Sequence, residues 1–185
     1  MNIGLIPARY AKALFEYSKK VGEEEAVYQN MKILAKHFIE FPEMDDVLLN
    51  PVVSVEDKKK LIIAAAGGDI CETFMRFIDL VIQNKREGNL NFIALKFRDT
   101  YRESKNIYYA KLTTVEECEP EVIEKLKKYL LDDRKGTIEF DYVIDKSIIG
   151  GFIIEYDCNL LDASIEGQIK LISKELLEKN KKRIV

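Results

Sequence analysis

Residues 90–114 read LNFIALKFRDTYRESKNIYYAKLTT, and this stretch changes period part-way along. Leu90, Ala94, Phe97 and Tyr101 recur at helical spacing, so the first part predicts one long amphipathic helix. After Asn106 the pattern stops. Ile107–Thr114 is rich in β-branched and aromatic residues and predicts a strand. The change near Asn106 is therefore the candidate boundary between an all-helical part, 1–105, and a small α/β part, 106–185. The expected fold class is α+β: an N-terminal bundle of about six helices, then a short sheet with flanking helices.

Reading outward toward the N-terminus, each segment carries its own helix signal. Pro7 suits a first turn, where its missing N–H has no bond to lose. Tyr10, Leu14, Tyr17 and Val21 follow on one face. Val27, Met31, Leu34 and Phe38 repeat the pattern, and Phe41-Pro42 ends it. A short helix is expected over Glu43–Leu49, and Asn50-Pro51 is a turn signal. Ser54 with Asp57 forms a capping pair for a helix closed by Gly67-Gly68. Asp69 with Glu72 is expected to open the next helix, which runs to about Asn84.

Toward the C-terminus, Pro120 opens a helix with Val122, Ile123, Leu126, Tyr129 and Leu130 as its apolar side. Ile138, Phe140 and Tyr142 alternate with Glu139 and Asp141, a half-buried strand. Ile148–Tyr156 predicts a third strand containing Gly150-Gly151. Ser164 can cap a last helix with Ile165, Ile169, Ile172 and Leu176 on one face. The tail Lys179–Arg183 is mostly basic, as the dipole favours at a helix C-terminus.

Composition excludes several function classes. Hydrophobic residues are 47% and charged residues 33%, so the chain is globular rather than disordered. Residues 1–105 hold 16 basic and 16 acidic side chains and residues 106–185 hold 13 and 16. That balance does not suit a nucleic-acid binder. Cys71, Cys118 and Cys158 are scattered and never in CxxC spacing, which points to reduced thiols rather than a disulfide framework or zinc site. No apolar run approaches the ~20 residues of a membrane span. No signal or transit peptide is evident.

A catalytic site is not expected. Neither GxxxxGK nor GxGxxG occurs, nor GxSxG, HExxH or DxDxDG. A Ser/His/Asp or Cys/His triad would have to use His37, the single histidine. Asp45-Asp46 and Asp132-Asp133 read as solvated loop charge. No catalytic, cofactor-binding or metal-ligating residue is assigned, and no cofactor.

The informative signal is excess apolar surface. A surface helix usually buries a stripe somewhat over ~100° wide. In helix 70–83, Ile70, Phe74, Met75, Phe77, Ile78, Leu80, Val81 and Ile82 cover an arc of roughly 220°. Helix 8–21 does nearly the same with Tyr10, Ala11, Ala13, Leu14, Phe15, Tyr17 and Val21. The surplus is either a central helix wrapped by neighbours or a second face left for a partner helix.

The chain resembles the delta subunit of bacterial F-type ATP synthase, which is similar to the mitochondrial oligomycin-sensitivity-conferring protein. The matching stretches are Ala8-Arg9-Tyr10-Ala11-Lys12-Ala13-Leu14-Phe15, Leu49-Asn50-Pro51 with Lys58 to Ile62, Asn84-Lys85-Arg86, and Ile107–Thr114. The most specific block runs from Ile144 to Ile169 and contains Asp145-Lys146-Ser147-Ile148-Ile149-Gly150-Gly151-Phe152 and Leu161-Asp162-Ala163-Ser164-Ile165. The family often has a glycine in the turn after the Gly-Gly strand. Here the turn reads Tyr156-Asp157-Cys158-Asn159, where Asn159 or Asp157 would have to supply the positive φ.

The resemblance implies a non-catalytic stator subunit, one copy in a heteromeric complex. It would link the catalytic α/β hexamer to the b-subunit stalk, so that proton translocation and ATP synthesis stay coupled. It would lie at the cytoplasmic face of the bacterial cell membrane, touching the membrane only through the complex. The N-terminal domain would take up α-subunit N-terminal helices in a groove, with Tyr10, Ala13, Leu14, Tyr17, Phe74, Phe77, Ile78 and Val81 as candidates drawn from the two over-wide apolar arcs. The C-terminal domain would meet the ends of the b subunits through Gly150, Gly151, Phe152, Ile165, Ile169 and Ile172. A helical RNA-binding or regulatory adaptor, and a small enzyme with a distributed site, are the other classes weighed. A clustered basic face would favour the first, and a metabolite-induced shift in melting temperature the second.

Overall fold

A computed structural model of the chain describes residues 4–131, 135–156 and 159–181, with side chains described only as far as 174. Asp132-Asp133, Asp157 and Cys158 of the hairpin turn, the side chain of Leu176 and the basic tail lie outside the described residues. The chain divides into two compact units, Met1–Ser104 and Lys105–Val185.

The first unit is helical. Its helices are α1 (Leu5–Val21), α2 (Glu24–Glu40), α3 (Glu43–Leu49), α4 (Val55–Ala65), α5 (Glu72–Gln83) and α6 (Leu90–Lys105), with a 3-10 turn over Glu87–Asn89. Local chemistry sets some of the ends. Gly22 takes the left-handed conformation after α1, and its N–H bonds back to Ser18 O. Ser54 caps α4, its hydroxyl accepting from the Asp57 N–H at 3.1 Å. Val27, Met31, Leu34, Phe74, Ile78 and Phe97 are fully buried, and each such side chain contributes roughly 1.5–3 kcal/mol of burial. Tyr28 and Tyr101 stack with centroids 4.1 Å apart, and Arg102 Nε donates to Tyr28 Oη at 3.0 Å.

One helix start differs from the sequence reading. Helix α5 begins at Glu72, and Asp69 is not its cap. The reason is long-range. Buried Asn30 on α2 donates to Ala66 O at 3.2 Å and Asp69 O at 3.0 Å, and accepts from Cys71 N at 3.5 Å. These bonds hold residues 69–71 out of the helix, so Ile70 is not part of its arc. The Thr73 N–H is met by Glu23 Oε2 at 3.1 Å, from the connection between α1 and α2.

The second unit is a sheet with two helices: β1 (Ile107–Thr114), α7 (Pro120–Leu131), β2 (Thr137–Ile144), β3 (Phe152–Tyr156), β4 (Asn159–Asp162) and α8 (Ile165–Lys181). The strand order is β2-β1-β3-β4. Strand β1 is parallel to β2, with α7 as the crossover between them, and antiparallel to β3. Ala110, Leu112, Ile138, Ile154 and Tyr156 form the core, with Leu126 and Leu130 of α7 packed against it. The alternate β1 residues carry polar pairs, Lys111 to Glu155 and Tyr109 to Asp141, each at 2.9 Å.

The third strand is shorter than the expected Ile148–Tyr156. Lys146–Ile148 is a 3-10 turn, with Asp145 Oδ1 accepting from Ser147 N at 2.9 Å. Ile149 then has φ 67° and ψ −36°, and Gly150 N bonds to Ile148 O at 2.7 Å. This is a γ-turn centred on a β-branched residue, a strained arrangement. Only after Gly151 does the chain extend.

Candidate protein-binding surfaces

Helices α1 and α5 run side by side with an open apolar groove of about 490 Å³ between them. From α1 it is lined by Arg9, Tyr10, Ala13, Leu14 and Tyr17, and from α5 by Thr73, Arg76, Phe77 and Leu80. Those α1 positions fall on one helical face, and so do those of α5, because residues three and four apart are neighbours. Phe77 and Leu14 form the floor and are nearly buried, whereas Tyr17 and Leu80 are 43% and 48% exposed. The Tyr10 and Phe77 rings meet edge-on with centroids 6.3 Å apart.

Arg76 spans one end of the groove. Its Nη1 donates to Tyr17 Oη at 3.2 Å and its Nη2 to Glu72 Oε1 at 2.5 Å. The hydrogen bond to Glu72, and then that to Tyr17, push the guanidinium further up from its ordinary pKa, so it stays charged.

Five of the eight groove candidates, Tyr10, Ala13, Leu14, Tyr17 and Phe77, line this space. Phe74, Ile78 and Val81 have no exposed surface and belong to the core. The arc on α5 thus serves both purposes, with its inner side filled by the bundle and its outer side open. Arg9, Thr73, Arg76 and Leu80 line the groove without having been singled out. Leu80 was inside the apolar arc. The two arginines carried no signal, because periodicity counts only apolar residues.

In the second unit, the residues expected to meet the b stalk gather at one corner. Gly151 has φ +77°, and a Cβ there would come 2.2 Å from Ala163 O, so the close backbone approach is made within the chain. A Cβ on Gly150 would meet Ile165 Cδ1, and Ile165 N bonds to Gly150 O at 3.0 Å. The glycine turn therefore abuts the start of α8. Phe152 is half-buried against the sheet core. Ile165, Ile169 and Ile172 are exposed, together with Ile149 and Leu171. Ser164 Oγ caps α8 by accepting from Gly167 N at 2.9 Å, and Asp162 Oδ1 accepts from Ser164 N and Oγ. These bonds hold the Asp162 carboxyl below its ordinary value.

The chain matches the family model described as ATP synthase delta (OSCP) subunit over residues 6–176. It belongs to that family. A relative in Phocaeicola vulgatus, named ATP synthase subunit delta, is 41% identical over 183 residues, covering 98% of this chain and 99% of its own length. Its namesake in Bacteroides thetaiotaomicron is 40% identical over 184 residues, covering 98% and 99%. A chain in the cryo-EM structure of the Toxoplasma gondii mitochondrial ATP synthase hexamer shares the fold with a TM-score of 0.63 at 22% identity, over 92% of this chain and 97% of that one.

As a delta (OSCP) subunit, the protein is a component of the peripheral stalk of ATP synthase and is structural rather than catalytic. Groups that could have suggested chemistry have ordinary surroundings in this delta-type chain. His37 Nδ1 donates to Ile33 O at 3.0 Å, and its ring stacks on Phe41. Burial pushes the Cys71 thiol up, which favours its protonated form. No helix among the described residues is long and apolar enough to cross a membrane.

Proposed function

We propose that the first unit seats the N-terminal helix of an α subunit in the groove between α1 and α5, and that the second unit holds the ends of the b subunits. The observation that carries the first half is the open apolar groove, with Tyr17 and Leu80 half-exposed on its walls. An amphipathic helix laid there would cover an apolar surface that the bundle itself leaves in water. The glycine turn and the exposed isoleucines of α8 support the second half, since they make an apolar surface on a small unit with a modest core. In this reading the protein joins the catalytic hexamer to the stalk at the cytoplasmic face of the membrane, and stops the hexamer from turning with the rotor. A joint under torque needs slow dissociation, which buried apolar anchors supply better than exposed ion pairs.

The test is capture from detergent-solubilised membranes. The full chain should bring down α, β and b subunits. A chain truncated after Lys105 should still bring down α and β and lose b. Capture of b by the truncated chain at the full chain's level would refute the division of labour.

A further inference from the structure

We infer that the α1–α5 groove selects a helix whose apolar stripe carries a carboxylate at each end, one for Arg9 and one for Arg76. The inference rests on the reading of this groove as the seat of a partner helix, and adds the charge pattern of that partner. Among the described residues that line the groove, Arg9 and Arg76 are the charged ones, and both are exposed. The carboxylate of Glu72 is bonded to Arg76 and offsets part of its charge, so the rim presents the charge of Arg9 and the remaining N–H donors of Arg76 around an apolar floor.

The two arginines stand at different points along the groove. Helices α1 and α5 are antiparallel there: Thr73 N bonds to Glu23 just past the end of α1, Arg76 bonds to Tyr17, and Phe77 meets Tyr10. Arg76 thus works at the level of Tyr17, while Arg9 lies earlier on α1 by ~12 Å of helix at 1.5 Å per residue. A ligand helix covers the same distance in ~8 residues, about two turns, so both carboxylates would fall on one face of it.

Each arginine has donors to give. A guanidinium has five N–H groups, and Arg76 shows two bonds, to Tyr17 and Glu72. Those bonds fix the planar group against the groove wall, so little side-chain freedom is lost when a carboxylate docks. Arg9 makes no ion pair among the described residues. Such rim pairs add modest affinity but raise the association rate and make it salt-dependent.

The test uses the full chain and three synthetic amphipathic helices with one shared leucine stripe. Their two flanking positions, ~8 residues apart, carry Glu, Gln or Lys. Calorimetry at low salt should rank them Glu over Gln over Lys, with about a 2- to 5-fold change in Kd per flanking position at each step. The Glu-to-Gln difference should collapse in the Arg9→Gln, Arg76→Gln double variant and in high salt. Equal, tight binding of all three peptides would overturn the charge pattern and leave the groove reading standing. Binding of none would overturn both.

Discussion

Lys58 Nζ on α4 lies 2.9 Å from Glu87 Oε1, with the two side chains 8% and 12% exposed. Glu87 opens the 3-10 turn that leads into α6, so this nearly dry pair fastens two otherwise separate stretches of the bundle. Lys58 opens one of the blocks that carry the family resemblance and Glu87 directly follows another, Asn84-Lys85-Arg86, and the contact gives both a structural role. Glu87 Oε2 is buried without a partner, so the carboxylate relies on Lys58.

Removing one partner of such a pair leaves a lone buried charge, which costs about 3–5 kcal/mol. Lys58→Met should therefore lower the stability of the helical unit by that amount in urea unfolding followed by circular dichroism. Lys58→Met with Glu87→Leu should recover much of the loss, since a buried pair replaced by apolar groups is often near neutral. A single variant within about 1 kcal/mol of the parent would show the pair to be solvated.

The strain at Ile149 gives a second expectation. A non-glycine residue in a sparsely populated conformation costs on the order of 1–3 kcal/mol. Ile149→Gly should raise the melting temperature of the second unit, because its φ of 67° is open to glycine. Gly151→Ala should lower the unit's unfolding free energy by more than about 1 kcal/mol, because the added Cβ would meet Ala163 O at 2.2 Å. If Ile149→Gly destabilises the unit, the γ-turn is not strained in the native chain.

A third concerns acid. Hydrogen bonds from Ser164 hold Asp162 below its ordinary pKa, and those from Ser147 do the same for Asp145. Each carboxyl binds fewer protons folded than unfolded, so its contribution is full above the ordinary value of 3.8 and is lost as pH falls through the lowered folded value. In the first unit, burial raises Asp45, which has the opposite sign: its ionised form opposes folding, and acid relieves it. The second unit should thus lose stability as pH falls below the ordinary carboxyl value of 3.8, and Asp162→Asn should flatten that slope. An unchanged slope in the variant would remove Asp162 from the explanation.

Much of the fold was legible because its signals are local. The Ser54–Asp57 cap, the break at Phe41-Pro42 and the stripes of α1, α2 and α6 are each readable within a few residues. What was not legible depends on distant partners. Asn30 and Glu23 reset the start of α5 from across the bundle, and no local pattern announces them. The change to strand after Gly151 depends on a γ-turn that an isoleucine would not ordinarily adopt. The surplus on α5 marked a helix with two apolar sides. Which residues face inward was decided by packing, so Phe74, Ile78 and Val81 could not be separated from Phe77 and Leu80 by spacing. Arg9 and Arg76 escaped because an apolar pattern is blind to its charged rim.

The central claim is that the groove between α1 and α5 holds the α-subunit helix, and calorimetry of the full chain with a peptide of that N-terminal segment tests it most directly. Leu80 is the residue to change, because it lines the groove and is 48% exposed, so the fold does not depend on it. Leu80→Asp should weaken binding by about 2 kcal/mol or more, the scale of a central interface anchor, with the melting temperature unchanged. Unchanged peptide affinity in a folded Leu80→Asp chain would contradict the claim.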